Sequence, residues 1–429
     1  MTLKLHKDCK KRLKQKLEQQ LVTIDVTNNQ FIDRKSTNGF ITAEEALPKH
    51  GHVKDQLESF IGEWPFYDFL YGFLSKELRD QQAYDSSVTV GKLTELESYS
   101  DIQATSERLV ELFDSLPWDY KFTIEFNSCL SPIFTKGINQ YKLSDTLSLV
   151  KADDQFIAEH PLKSGVEGIG SGLISAMLYP TSRTEWNKDS VYLQFSTNGF
   201  VGKYISTQTN ENILSKFKAF CGLSIALRLL IVERSYYPAP PKMNFYIHRN
   251  INKKWVVDET IEVDEVISET INDLAFNSCN GSLDNDTKKM AWMVSRLAKL
   301  KKVFENEEQS EKIILAGQWF FDSYTGKNEL LSFVQTMIAL EIILGENKAS
   351  DGTGLGDLLR NRCAYLIGET HSQREDILED FKKIYDIRSK IVHRGKSKLT
   401  SHERVLFSKL QWICRRVILK ETELITENA

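Results

Sequence analysis

Between Ser372 and Gly395 the chain reads SQREDILEDFKKIYDIRSKIVHRG. Ile377, Phe381, Ile384 and Ile391 recur at steps of four, three and seven, which places them on one stripe of an α-helix. Ser372 and Glu375 have the spacing of a capping box, and Gly395 stands where a C′ glycine ends a helix. The spacing thus predicts a helix over 373–394. Arg388 falls on the apolar stripe, where a guanidinium is expensive unless it is paired or turned toward a crevice. A second stripe, Lys382, Asp386, Ser389 and His393, is polar and ends in a histidine in the last helical turn. The partial negative charge of a helix C-terminus makes that last turn a favourable place for a basic side chain such as His393.

On either side of this helix the texture is the same. Helical patterns run through 286–304, 309–323, 328–345, 355–367 and 401–420, with short connections such as Tyr324 to Lys327. Amphipathic helices joined by short loops argue for a bundle. In 328–345, Glu341 interrupts an apolar stripe of Val334, Met337, Ile338 and Leu344, much as Arg388 interrupts its own. Glu341 with Arg388, or Glu341 with Arg362, is expected to form a buried pair that holds the 373–394 helix; the bland alternative is a boundary glutamate reaching water.

Charge is concentrated here. Residues 381–420 hold twelve Lys and Arg against Asp386 and Glu403 only, a local +10 in a chain whose net charge is −4. Such a patch fits a polyanion-binding module, and equally a solvated helical face. Arg388 and His393 are five residues apart, about 140° around an ideal helix. One helix cannot easily aim both at a single phosphate, but two such helices across a dimer two-fold can.

Arg388-Ser-Lys-Ile-Val-His393 resembles the R-polar-x-x-x-H motif of HEPN domains, helical bundles found in many prokaryotic RNases and defence toxins. The wider pattern is similar to the ApeA-like HEPN branch. Leu340-Glu341-Ile-Ile-Leu344 resembles its "LE" helix, Arg362-Cys-Ala-Tyr-Leu-Ile-Gly368 its arginine-started helix, and Ile384 to His393 its motif helix. The likeness covers the last third of the chain, from about 308, and differs in having His393-Arg394-Gly395 where such domains often have His-Gly.

The resemblance implies a metal-independent endoribonuclease, needing no cofactor, that cleaves RNA, with tRNA one candidate. Attack by the RNA 2′-hydroxyl would leave a 2′,3′-cyclic phosphate and a 5′-hydroxyl. His393 would serve as general base or acid, Arg388 would hold the scissile phosphate, and Ser389 would orient the imidazole or bind a phosphate oxygen. Lys390, Arg394, Lys396 and Lys398 would contact RNA, and Glu341, Arg362 and Asp386 would give structural support. The implied setting is antiphage defence by abortive infection or a related toxin activity, with a homodimer formed through the bundle. A phage-derived trigger would be sensed by the region before about 285. The competing class is a non-catalytic HEPN module that binds RNA or protein and dimerises.

The rest of the chain yields less. Residues 54–80 carry Phe60, Trp64, Phe66, Tyr67, Phe69, Tyr71 and Phe73, a run expected in a core, with a partner surface as the alternative. The lysines of residues 1–20 suit a solvated amphipathic helix better than a nucleic-acid arm. Segments 121–126, 191–195 and 244–248 read as strands, Asn198-Gly199 and Asn280-Gly281 as turns, Pro238 to Pro241 as a stop and 212–233 as helix. Gly165, Gly168, Gly170 and Gly172 lack the flanking Lys-Ser/Thr or strand that a phosphate-binding loop requires, so they read as an ordinary loop. The Phe-Asn-Ser-Cys tetrapeptide at 126–129 and 276–279 has no similarity around it and reads as coincidence.

The expected class is α+β: a mainly helical part at 1–115, a β-rich mixed α/β part at 116–284 and an all-α bundle at 285–429. The six cysteines include no CxxC pair, which argues against a zinc knuckle or disulfide scaffold. No apolar h-region follows the basic N-terminus. The most apolar stretch, Ala219 to Val232, is too short for a bilayer and contains Arg228, suiting a buried helix. A cytoplasmic protein without membrane contact is therefore expected.

Overall fold

A computed structural model describes residues 4–82, 90–134, 138–162, 185–188, 190–234, 242–277, 286–345 and 355–428. The glycine cluster at 165–172, the stop at 238–241, the Asn280-Gly281 turn and Cys279 lie outside the described residues.

The fold is α+β. In chain order its elements are α1 (Lys7–Leu21), β1 (Asp25–Thr27), β2 (Phe31–Ile32), α2 (Gly39–Glu44), α3 (His52–Phe60), α4 (Pro65–Gln81), β3 (Gly91–Lys92), α5 (Ile102–Asp114), β4 (Trp118–Phe126), β5 (Gln140–Lys142), β6 (Leu147–Lys151), α6 (Asp154–Glu159), β7 (Val191–Gly199), α7 (Gln208–Ala226), β8 (Leu230–Val232), β9 (Asn244–Ile251), β10 (Lys254–Glu262), α8 (Glu265–Asn272) and β11 (Leu274–Phe276). The helical run follows: α9 (Asp286–Glu305), α10 (Glu311–Asp322), α11 (Glu329–Leu344), α12 (Leu355–Ile367), α13 (His371–Arg394) and α14 (Ser401–Asn428). A six-stranded sheet has the order β10-β9-β4-β7-β6-β5, and smaller sheets have the orders β2-β1-β3 and β11-β8.

The chain gathers into two compact units. One comprises Met1–Lys121, Ser196–Ile213 and Ile247–Ile261; the other comprises Phe122–Phe195, Leu214–Tyr246 and Glu262–Ala429. In the first, α1 buries Cys9, Leu13, Leu17 and Leu21 at steps of four. Three of its five lysines form salt links: Lys10 with Asp114 at 2.5 Å, Lys14 with Glu107 at 2.7 Å and Lys16 with Glu45 at 3.1 Å. The aromatic run is largely core, with Phe60, Phe66 and Phe69 buried and Trp64 exposed. Phe69 packs on Phe113 with ring centroids 5.2 Å apart.

Helix α4 starts with Pro65 at a position where its missing N–H is no loss. The orphan amides beyond it are met from a distance: Glu44 Oε2 accepts from Phe66 N at 2.7 Å and Tyr67 N at 3.0 Å. Two tight turns that sequence reading missed, Asn28-Asn29 after β1 and Asn252-Lys253 after β9, have positive φ at both central residues, as type I′ turns require.

In the second unit, β6 pairs antiparallel with β5 and β7, with Leu147 opposite Phe195 and Leu149 opposite Leu193. All four are buried, and the continuous burial of β6 and of the first half of β7 explains their weak alternation. The expected helix over 212–233 is shorter at its end: α7 stops at Ala226, and Leu230–Val232 is a strand paired with β11. Asn198-Gly199 ends β7 and makes no hairpin.

Helices α9 to α14 match the periodic segments within a few residues, and α14 runs on to Asn428. α11 packs on α10, α12 on α13, and α14 against each of α10 to α13. Helices α7 and α10 approach closely at Gly222, where an added Cβ would overlap the carbonyl oxygen of Gly317. No helix among the described residues is long and apolar enough to cross a membrane.

Candidate active site

The N-cap of α13 is Thr370, two residues before the expected Ser372. Thr370 is extended (φ −118°, ψ 163°), and its Oγ1 accepts from Gln373 N at 3.2 Å. Gln373 Oε1 in turn accepts from Glu369 N at 2.9 Å, while Glu375 lies 3.4 Å from His371. Thr370 and Gln373 have the same i, i+3 spacing as Ser372 and Glu375, and backbone geometry selects between them. At the other end Gly395 takes the left-handed conformation (φ 63°, ψ 37°) and its N–H donates to the Lys390 carbonyl. The helix therefore includes Arg394, and His393 stands in its last turn.

The buried stripe is Ile377, Phe381, Ile384 and Ile387; Ile391, expected in that role, is half-buried. Arg388 adjoins this stripe and is half-buried. Its Nη2 lies 3.3 Å from Oε1 and 3.5 Å from Oε2 of Glu341 on α11. Burial pushes the Glu341 carboxyl above its ordinary range, and the Arg388 guanidinium opposes that rise. The guanidinium carbon also sits 5.8 Å from the ring centroid of Tyr385, one turn back on α13. That ring packs against Gly356 of α12 so closely that a Cβ there would come within 2.8 Å of it. Arg388 is thus held from two sides.

Arg362 does not share the Glu341 carboxylate. Its Nη1 donates to the Leu344 carbonyl at 2.5 Å, satisfying one of the orphan acceptors at the end of α11. Of the two pairings left open by the sequence, Glu341 with Arg388 is the one formed. Asp386 is exposed and has no ion pair among the described residues, so it adds no visible support. Ser389 is half-buried, and no hydrogen bond joins it to His393. His393 is exposed at the helix end, next to the exposed apolar side chain of Val392.

The basic run is less free than its formal charge suggests. Seven of its twelve cations meet carboxylates: Lys383 with Glu379, Arg388 with Glu341, Lys396 with Glu403, Arg404 with Glu329, Lys409 with Asp380, Arg416 with Glu369 and Lys420 with Glu423. Lys396, expected to contact RNA, lies 3.0 Å from Glu403 Oε2, in a network that also caps α14: Glu403 accepts from Thr400 N at 2.7 Å. Lys382, Lys390, Arg394, Lys398 and Arg415 have no carboxylate partner among the described residues. Lys390, Arg394 and Lys398 are exposed around the His393 end of α13. The carboxylates that neutralise the run come mostly from outside it, which local charge counting does not register.

Chemically, the arrangement offers an exposed imidazole, a guanidinium oriented by a carboxylate, a hydroxyl one helical turn before the imidazole and three unpaired cations at one helix end. Among the described residues no three His, Cys, Asp or Glu side chains gather as a metal site would require. Protein-family models, curated proteins and solved structures give no match to this chain.

Proposed function

We propose that the α10–α14 region is a HEPN-type endoribonuclease that acts on RNA, tRNA among its candidate targets, without a metal cofactor. The observation that carries the reading is the Glu341–Arg388 pair at 3.3 Å, which orients the motif arginine on the helix whose last turn carries His393. RNA brings its own nucleophile, so the protein need only move protons and stabilise charge. His393 would exchange protons with the 2′-hydroxyl and the leaving 5′-oxygen, and Arg388 would hold the phosphate. Ser389 would bind a phosphate oxygen, since it makes no bond to the imidazole. Lys390, Arg394 and Lys398 would hold flanking phosphates.

Because Arg388 and His393 diverge on one helix, the site would be completed by a second copy of the chain, with exposed Val392 beside the site as part of the contact. Antiphage defence by abortive infection, with a phage-derived trigger sensed by the region before about 285, is the proposed setting. The test is cleavage of total RNA and tRNA by wild type and His393→Ala, each in excess EDTA and at matched oligomeric size. Cleavage by wild type alone, ending in 2′,3′-cyclic phosphate, is the expected result. Equal cleavage by both removes His393 from the chemistry. Absence of cleavage by either, with RNA binding retained, makes the region a binding module.

A further inference from the structure

Arg228 follows α7 in a position that glycine normally takes. Its φ is 61°, and the backbone closes a Schellman motif around it: Arg228 N donates to Ile225 O at 3.0 Å and Leu229 N to Ser224 O at 2.9 Å. A side chain with a Cβ takes this conformation only against a steric penalty that glycine escapes. The other non-glycine residues with positive φ sit as adjacent pairs in tight hairpin turns; Arg228 is the exception among the described residues. Its carbonyl is further pinned by Asn277 Nδ2 and Trp292 Nε1, each at 3.2 Å. The strain holds an exposed arginine at a chosen place.

That place faces two more arginines. Arg228, Arg415, Arg416 and Trp412 line a cavity of about 130 Å³, roughly four waters at ~30 Å³ each. Neither Arg228 nor Arg415 has a carboxylate partner among the described residues. Arg416 is partly compensated, with Nη2 3.1 Å from Glu369 and a buried Nε that has no hydrogen-bond partner. Burial, with Arg228 and Arg416 nearby, holds the Arg415 guanidinium below its usual range. Like charges gathered without counterions destabilise a fold unless an anion joins them.

A neighbouring cavity of about 240 Å³ shares Trp412 and Arg416, and is also lined by Glu369, Gln373, Asp376 and Lys409. With two acids and two bases its lining carries no net charge, and its carboxylates can accept hydrogen bonds from hydroxyl or amino groups. The half-exposed indole of Trp412, common to both cavities, offers a stacking face.

We propose that these two adjoining cavities bind a free nucleotide, with its phosphate among Arg228, Arg415 and Arg416 and its nucleoside against Trp412, Gln373 and Asp376. None of these residues belongs to the Arg388–His393 group, so this site stands or falls independently of the nuclease reading. The experiment is calorimetric titration of the full chain with AMP, ATP, adenosine and inorganic phosphate, and with a 5′-phosphorylated RNA oligonucleotide. AMP or ATP should bind saturably, adenosine and phosphate at least tenfold more weakly. Arg415→Gln and Arg228→Gly should each weaken nucleotide binding tenfold or more, and Arg415→Lys should lose less than Arg415→Gln. Without ligand, Arg415→Gln should melt at or above the wild-type temperature, because a repulsion is removed, and should lose the nucleotide-induced shift. Nucleotide binding that is absent, or undiminished in all three variants, overturns the proposal. So does phosphate binding as tightly as AMP, or the RNA oligonucleotide binding more tightly than any free nucleotide through the same arginines.

Discussion

Glu341 Oε1 lies 3.3 Å from Arg388 Nη2 across the α11–α13 interface, with 20% of the glutamate side chain and 23% of the arginine side chain exposed. The pair is neither a surface link worth almost nothing nor a fully dry one whose desolvation dominates. Each partner leaves the other exposed to a penalty if it is removed.

That penalty has a pH signature. With Arg388 present, Glu341 already titrates above its ordinary value of 4.5, because burial outweighs the guanidinium. Arg388→Gln removes the opposing charge, so the folded-state pKa rises further. A carboxyl whose folded pKa is raised contributes stability that is full below the unfolded pKa and lost as pH rises through the folded one. Urea melts of Arg388→Gln should therefore lose stability more steeply than wild type as pH rises from the ordinary carboxylate range toward neutrality. Adding Glu341→Gln should abolish the difference; identical pH profiles for wild type and Arg388→Gln would show that the two side chains are uncoupled.

Arg388→Lys separates geometry from charge. Lysine keeps the positive charge and can still approach Glu341, but lacks the planar fork that grips two phosphate oxygens. RNA cleavage should fall by about 10²-fold or more while the melting temperature moves by no more than a few degrees. A collapsed melt would assign Arg388 to the core instead.

In the other unit, Asp68 in the first turn of α4 is pushed up to about 6 from 3.8 by burial, with Arg34 opposing. The folded chain holds this proton to higher pH than the unfolded chain does. Its contribution to stability is full below about 4 and is lost as pH rises through about 6. Asp68→Asn should stabilise the chain at pH 7 by about 1–2 kcal/mol, discounted for partial solvation, and leave it nearly unchanged at pH 4. Thermal melts at the two pH values decide it, and an Asp68→Asn chain no more stable at pH 7 than wild type would contradict the assignment.

Gly222 is required by contact alone. An added Cβ would sit 1.8 Å from the Gly317 carbonyl oxygen, and backbone cannot swing aside as a long side chain can. Gly222→Ala should cost about 3 kcal/mol by overpacking. Gly395→Ala, with nothing within 4 Å of the new Cβ, should cost only about 1 kcal/mol from its positive φ. Equal losses in chemical denaturation would mean that the α7–α10 approach is looser than it looks.

The C-terminal helices were legible because each buries one stripe, and a 3.6-residue period survives in the order of residues. Gly395 as a helix stop was legible for the same reason, since its conformation is a local matter. The capping box was misplaced by two residues because Thr370 and Ser372 are equivalent in spacing and differ only in backbone angle. The strand at Leu230–Val232 was hidden by an apolar run that suits helix and strand alike, until its β11 partner is known.

By itself, then, the sequence determined the periodic helices, the placement of an arginine on an apolar stripe and of a histidine at a helix end. It also determined a net charge excess in residues 381–420. Tertiary structure alone decided which carboxylate meets Arg388, that Arg404, Lys409 and Arg416 of the basic run are likewise paired with acids distant in sequence, and that Arg228 joins Arg415 and Arg416. Periodicity and capping are short-range properties, repeated every few residues and readable from one strand of text. Pocket formation and charge pairing between elements depend on distances between residues tens to hundreds of positions apart, which only the folded chain sets.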